Sequence, residues 1–168
     1  EMNALGFRAF VDEAGNTVGI LGDGAREIVL LGHIDTFYGY IEPRIEDGKL
    51  YGRGAVDAKG CLATFVSACA RVKRDDVRFV IIGAVEEECA TSKGARFAAT
   101  QYAPEFCIIG EPSGWDRITL GYKGRVLIDY KLEKEMSHTA SSSRAATEEA
   151  VEFWNRTASY AAEFNRDK

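Results

Sequence analysis

Histidine is scarce in this sequence of 168 residues: there are two, His33 and His138. Any chemistry that needs an imidazole has only those two addresses. The four cysteines, Cys61, Cys69, Cys89 and Cys107, form no C-x-x-C pair, which argues against a zinc–thiolate site. They sit inside apolar patterns and read as small hydrophobes in a reducing cytoplasm, with no structural disulfide. No apolar run approaches the roughly 20 residues that span a bilayer, and no signal-peptide pattern is read. There is no long basic run and the formal net charge is −5, so a nucleic-acid footprint is not expected. Internal repeats and low-complexity segments are also lacking. What is present is ordinary globular material, 46% apolar and 28% charged, enough for a core in one domain, or in one domain and part of another.

Periodicity divides the chain into two textures. Residues 7–12 (FRAFVD) alternate as a strand does, DEAGN is a turn, and residues 17–21 are the return strand. Residues 27–32 are a short β-branched run, a buried strand. Asp47-Gly48 marks a hairpin between two short strands. From residue 58 to 72, Leu62, Phe65, Val66, Cys69 and Val72 fall at helical spacing. Residues 77–85 (VRFVIIGAV) read as a second buried strand, 92–100 as a helix and 106–110 as a third buried strand. This β–α–β–α–β rhythm predicts an α/β fold, with a mostly parallel sheet covered by helices.

Beyond Glu111 the texture changes. Residues 118–122 are followed by an alternating strand from 125 to 132, with Val126, Ile128, Tyr130 and Leu132 on one face. Alternation of this kind belongs to a half-exposed antiparallel sheet. Residues 143–164 read as an amphipathic helix with Ala146, Ala150, Phe153, Trp154, Ala158, Ala161 and Phe164 on one side. A domain boundary is placed at Lys123–Gly124. The chain starts EMNALGF, without Met, and ends FNRDK directly after the helical run. The expectation is a piece of a longer protein.

Four stretches place acidic or histidine residues at strand or helix ends: His33-x-Asp35, Asp57 in GRGAVDAKG, Glu86-Glu87-Glu88 after VIIGAV, and Glu111 after FCIIG. Each alone has a plain reading: a loop histidine, a helix N-cap, a solvated loop, a turn. In a parallel sheet, however, all carboxyl ends face one edge, and ligands bind beyond it. Three adjacent carboxylates also repel one another unless a cation is near. Together the four stretches predict a metal site. Imidazole and carboxylates without thiolate suit Zn²⁺ or a neighbouring metal. The carboxylates outnumber what one tetrahedral ion takes, so two ions sharing one bridging carboxylate are expected.

GHIDT, GRGAVDAKG, AVEEE followed by SKGA, and IIGEPSG resemble, in order and texture, the co-catalytic dinuclear zinc aminoacylases and carboxypeptidases. These include the acetylornithine deacetylases and succinyl-diaminopimelate desuccinylases. LYGRGAVDAKG, IIGEPSGWDRITLGYKGR and MSHTA are most similar to the hydrolases that release lysine or ornithine from an amino-group carrier protein in lysine and arginine biosynthesis.

The resemblance implies roles. His33 would ligate one metal, its imidazole clamped by Asp35. Asp57 would bridge two Zn²⁺, with Co²⁺ an alternative. Glu111 would complete the first ion's protein ligands. Glu88 would bind the second ion and Glu87 would be the general base, with the register within the triplet open by one position. His138 would donate to the oxyanion. The second ion's further histidine is not found in the sequence. The resemblance also implies a homodimer. Residues 1–123 would be a zinc-peptidase-like catalytic domain lacking N-terminal helices and a C-terminal part, and the 168-residue piece as a whole would be inactive by itself. Residues 124–168 would begin an inserted α+β lid or dimerisation domain.

Two rivals stand beside this reading: an N-acetyl- or N-succinyl-amino-acid deacylase or dipeptidase, and a non-catalytic homologue that binds a ligand or partner. Lys123, Arg125, Lys131 and Lys134 read as a solvated strand face in preference to a carrier-docking patch. Trp115 and Tyr122 read as packing, and Cys89 as unreactive. Gly52, Gly54 and Gly60 do not have P-loop spacing.

Overall fold

The computed structural model describes residues 1–72, 74–114, 116–122, 124, 126–136, 138 and 143–166. The chain divides into two units, Glu1–Thr119 and Leu120–Lys168.

The first unit is built on a five-stranded sheet. β1 (Arg8–Val11) and β2 (Thr17–Leu21) form a hairpin, and β3 (Arg26–His33) follows. A small separate hairpin of β4 (Arg44–Glu46) and β5 (Lys49–Tyr51) precedes α1 (Lys59–Cys69). β6 (Val77–Ala84), α2 (Lys93–Gln101) and β7 (Phe106–Ile109) complete the unit. The strand order is β1-β2-β6-β3-β7. β3 lies parallel to both β6 and β7, whereas β2 runs antiparallel to β6. The sheet is thus mixed, with the parallel core that the apolar runs predict. In the β4–β5 turn, Asp47 and Gly48 both have positive φ, 51° and 74°, the conformation a two-residue hairpin needs to match strand twist.

Each face of the sheet carries its own core. Val18, Ile20, Val29, Val80 and Ile82 pack with Ala98 of α2 on one side. Phe7, Leu30 and Ile81 pack with Val66 and Cys69 of α1 on the other. Alternate residues of β6 feed opposite cores, which is why its sequence is apolar from Phe79 to Ala84. β7 departs from expectation. Phe106, Ile108 and Ile109 are exposed: among the described residues, β7 is an edge strand bonded to β3 alone. An apolar run marks a strand but does not say how many neighbours cover it.

The second unit contains α3 (Ala146–Phe164). Ala145 N–H donates to the Glu148 carboxylate at 2.9 Å, which satisfies an orphan donor at the helix start. Tyr130 stacks on Phe153 with centroids 4.0 Å apart. Ala146, Ala150 and Phe153 are partly covered, but Trp154 and Phe164, expected on the same side, are exposed. The strand expected from the alternation at 125–132 is not formed. The described residues there, 126–132, form no strand, nor do 118–122. A strand needs a neighbour to take its N–H and C=O groups, and no strand is present among the described residues of this unit. Tyr122 is exposed rather than packed. Lys131 and Lys134 pair with Glu133 and Glu149. Lys73, Trp115, Lys123 and Arg125 lie outside the described residues. Among the described residues, no helix is long and apolar enough to cross a membrane.

Ile82 is fully buried at the centre of the sheet. Ile82→Ala is expected to lower stability by about 2–5 kcal/mol, the cost of lost burial plus a cavity, measured as a shift of the urea unfolding midpoint.

Candidate metal centre

The pairing of β3 with β6 sets the site. His33, the last residue of β3, stands opposite Ala84, the last of β6. Leu31 stands opposite Ile109, the last residue of β7, and Gly110 N–H donates to the Leu31 carbonyl at 2.8 Å. Asp35, the Glu86–Glu88 run and Glu111 therefore leave the sheet along one edge. Asp57 reaches the same place from the segment before α1. It does not cap that helix: Ala58 is the N-cap residue, and Asp57 faces His33.

His33 is the centre of the cluster, and its side chain is only 1% exposed. Nδ1 lies 3.0 Å from the backbone carbonyl of Asp35. A carbonyl only accepts, so Nδ1 carries the proton and Nε2 is the nitrogen left for a ligand. Nε2 lies 2.9 Å from Asp57 Oδ1, 3.8 Å from Glu87 Oε2 and 3.9 Å from Glu111 Oε2. The resemblance assigns the clamp to the Asp35 side chain, and here the shorter contact belongs to its backbone, with Oδ1 at 3.5 Å. The Asp35 carboxylate does something else. Its two oxygens accept the N–H groups of Glu87 at 3.2 Å and Glu88 at 3.0 Å, so the His33 loop holds the acidic loop by its backbone.

The three adjacent glutamates separate in space. Glu86 adopts a left-handed φ of 58°, uncommon for a residue with a side chain. Its carboxylate accepts from Thr91 Oγ1 at 2.7 Å and lies 4.0 Å from Lys93 Nζ. Glu87 faces Nε2 of His33. Glu88 accepts the Phe37 N–H at 3.2 Å, a backbone contact that no side-chain pattern could announce. One donor atom each from His33, Asp57 and Glu88 lies within 4.8 Å of the others. With metal–ligand bonds of roughly 2 Å, ligands of one ion are at most about 4 Å apart, so these three atoms stand near the spacing that one ion, or an adjacent pair of ions, requires.

The electrostatics fit a cation. Among the described residues, no lysine or arginine forms an ion pair with Asp35, Asp57, Glu87, Glu88 or Glu111. Burial pushes the Glu111 carboxyl up; His33 opposes this, while Glu87, Asp57 and Glu88 add to it, and its pKa ends above the ordinary carboxylate value. Burial pulls His33 down, but the bonds to Asp57 and the Asp35 carbonyl, with the charges of Glu111 and Glu87, raise it above the ordinary value. Burial also raises the thiol of Cys61, with Glu111 and Asp57 adding to the effect. All four cysteines are free. A divalent ion among these oxygens would relieve the crowding of like charges, and the donor set of one imidazole with carboxylates suits it.

His138 belongs to the second unit and is exposed there. Asn16, read in the sequence only as the end of a turn, is buried and hydrogen-bonded to the backbone at both ends of the acidic loop. Its one sequence signal was the Asp12–Asn16 turn pattern.

The chain belongs to Peptidase family M20/M25/M40, which matches over residues 29–167. Its similarities extend to individual relatives. It is 48% identical to a LysW-lysine hydrolase of Deinococcus radiodurans over 167 residues, covering 97% of this chain and 46% of that protein. It is 40% identical to a LysW-lysine/LysW-ornithine hydrolase of Saccharolobus solfataricus over 124 residues, covering 73% of this chain and 35% of that one. The chain spans about half the length, or less, of these curated relatives.

In metal-free protein, His33 and Glu111 both bind protons more tightly folded than unfolded. Their stabilising contribution is present below the ordinary values of 6.5 and 4.5 and is lost as pH rises through the raised folded values. Thermal melts of chelator-stripped protein are expected to show stability falling across that window. His33→Gln should remove the upper part of the fall.

Proposed function

We propose that this chain carries the metal centre of an amide hydrolase that frees lysine or ornithine from an amino-group carrier protein. One observation supports it above others. His33, Asp57, Glu87, Glu88 and Glu111 come from four separate stretches and converge at one sheet edge, in a chain 48% identical to a LysW-lysine hydrolase. In this reading residues 1–123 belong to the catalytic domain and 124–168 to an inserted lid or dimerisation domain. The working protein is a cytoplasmic homodimer.

The metal would be a pair of Zn²⁺ ions, with Co²⁺ the alternative. His33 Nε2 and Glu111 would hold one, Glu88 the other, and Asp57 would bridge them. When bound, such ions supply Lewis-acid polarisation of the amide carbonyl and acidify the attacking water. The residues supply the proton traffic. Glu87, its backbone fixed by Asp35 and its carboxylate partly open to solvent, takes a proton from the water whose oxygen bonds to the carbonyl carbon. As the C–N bond breaks, Glu87 returns that proton to the leaving amine nitrogen. His138 would donate an N–H to the carbonyl oxygen as it gains charge.

The test uses the open reading frame in which these residues lie, expressed whole and loaded with zinc. Lysine or ornithine release from the carrier conjugate should far exceed release from N-acetyl- or N-succinyl-amino acids. The reverse preference would assign a small-molecule deacylase, and hydrolysis of neither would leave a binding homologue. Glu87→Gln should retain metal and lose about 10²–10⁴-fold in turnover, the span of general acid–base catalysis. Asp57→Asn and Glu88→Gln should lose metal, read by elemental analysis. Metal loss from Glu87→Gln instead would shift the triplet's register by one.

A further inference from the structure

The acidic loop after β6 has a closed neck. Gly94 N–H donates to the Val85 carbonyl at 3.0 Å, so residues 86–93 form a loop whose two ends touch. Asn16 spans that neck. Its Oδ1 accepts the Val85 N–H at 3.0 Å, and its Nδ2 donates to the Gly94 carbonyl at 3.0 Å. The second Nδ2 proton goes to Asp12 Oδ2 at 2.9 Å. Both amide protons and the amide oxygen are thereby used.

Asn16 is itself held rigidly. Asp12 Oδ1 accepts the N–H groups of Ala14, Gly15 and Asn16 at 3.0, 3.0 and 2.9 Å. Asn16 is 0% exposed, and it and His33 are the buried polar residues among those described. The fit leaves no slack: a Cβ on Gly94 would lie 2.2 Å from Asn16 Oδ1 and 2.5 Å from the Val85 nitrogen. The turn of the β1–β2 hairpin thus bonds to both ends of the acidic loop.

We infer that Asn16 is a positioning residue for the metal centre: by bridging Val85 and Gly94 it holds the loop that presents Glu87 and Glu88, without itself touching the site. This rests on the metal-centre reading above. Asp35 holds the same loop near its tip through the Glu87 and Glu88 amides, and Asn16 holds it at the neck. With the neck released, the loop must be ordered each time it engages an ion, and part of the binding free energy goes to that ordering.

The experiment compares Asn16→Ala and Asn16→Asp with a plain core variant, Ile20→Ala. Asn16→Asp keeps the shape of the amide but loses both donors, so it preserves the test if Asn16→Ala fails to fold. Two quantities are read: Zn²⁺ affinity, by competition with a chromophoric chelator, and amide hydrogen exchange in metal-free protein. The Asn16 variants should bind Zn²⁺ about 10–100-fold more weakly, the size of effect seen when groups supporting metal ligands are removed. Faster exchange should be confined to residues 85–94. Ile20→Ala should lose thermal stability with its Zn²⁺ affinity unchanged. The inference is overturned if the Asn16 variants lose no more affinity than Ile20→Ala at matched melting loss, or if exchange at 85–94 is no faster than elsewhere. If the unmutated protein binds no Zn²⁺, the metal-centre reading fails, and the exchange data alone then decide whether Asn16 clamps the loop.

Discussion

β3 and β6 pair in parallel over eight residues, from Arg26 opposite Val77 to His33 opposite Ala84, and the site depends on that register. It brings the end of one strand level with the end of the other. The loop carrying Asp35 can then reach the backbone of the loop carrying Glu87 and Glu88. A slip by one residue would turn every side chain of β3 to the opposite face. The two cores resist this, because Leu30 packs in one and Val29 in the other. Packing well inside the sheet therefore sets distances at its edge.

The same edge is where the fold is least comfortable. A buried imidazole stands among carboxylates of Asp57, Glu87 and Glu111, with no lysine or arginine paired to them among the described residues. Concentrated negative charge at a partly dry site is unfavourable unless a cation or protons offset it. The raised pKa of Glu111 is the mark of that tension. The backbone bonds from Asp35 and Asn16 keep the acidic loop in place against it. Departures from the most stable arrangement are expected where a protein has chemistry to do.

Much of this was legible in residue order. The apolar runs at 27–32 and 77–85 announced two parallel strands, and Asp47-Gly48 announced the small hairpin. Grouping His33, the glutamate run and Glu111 needed only the rule that parallel strands end on one edge, and Asp57 joins them from the segment before α1. Three things were not legible. Exposure of β7 depends on its being last in the sheet, a matter of strand order. The alternation at 125–132 reports a preference that needs a partner strand to become structure. The spatial separation of three adjacent glutamate side chains accompanies one left-handed residue, Glu86.

Sequence alone determined the chemical inventory: one histidine beside one aspartate, carboxylates just beyond apolar runs, and no thiolate pair to compete for a metal. It did so because residue types and strand periodicity are local properties. Tertiary structure decided which atoms meet. The Asp35 backbone holds the imidazole while the Asp35 carboxylate holds the acidic loop, and Asn16 closes a loop 69 residues further along the chain. Such contacts are made by backbone groups that every residue carries, so only the packing of distant segments selects them.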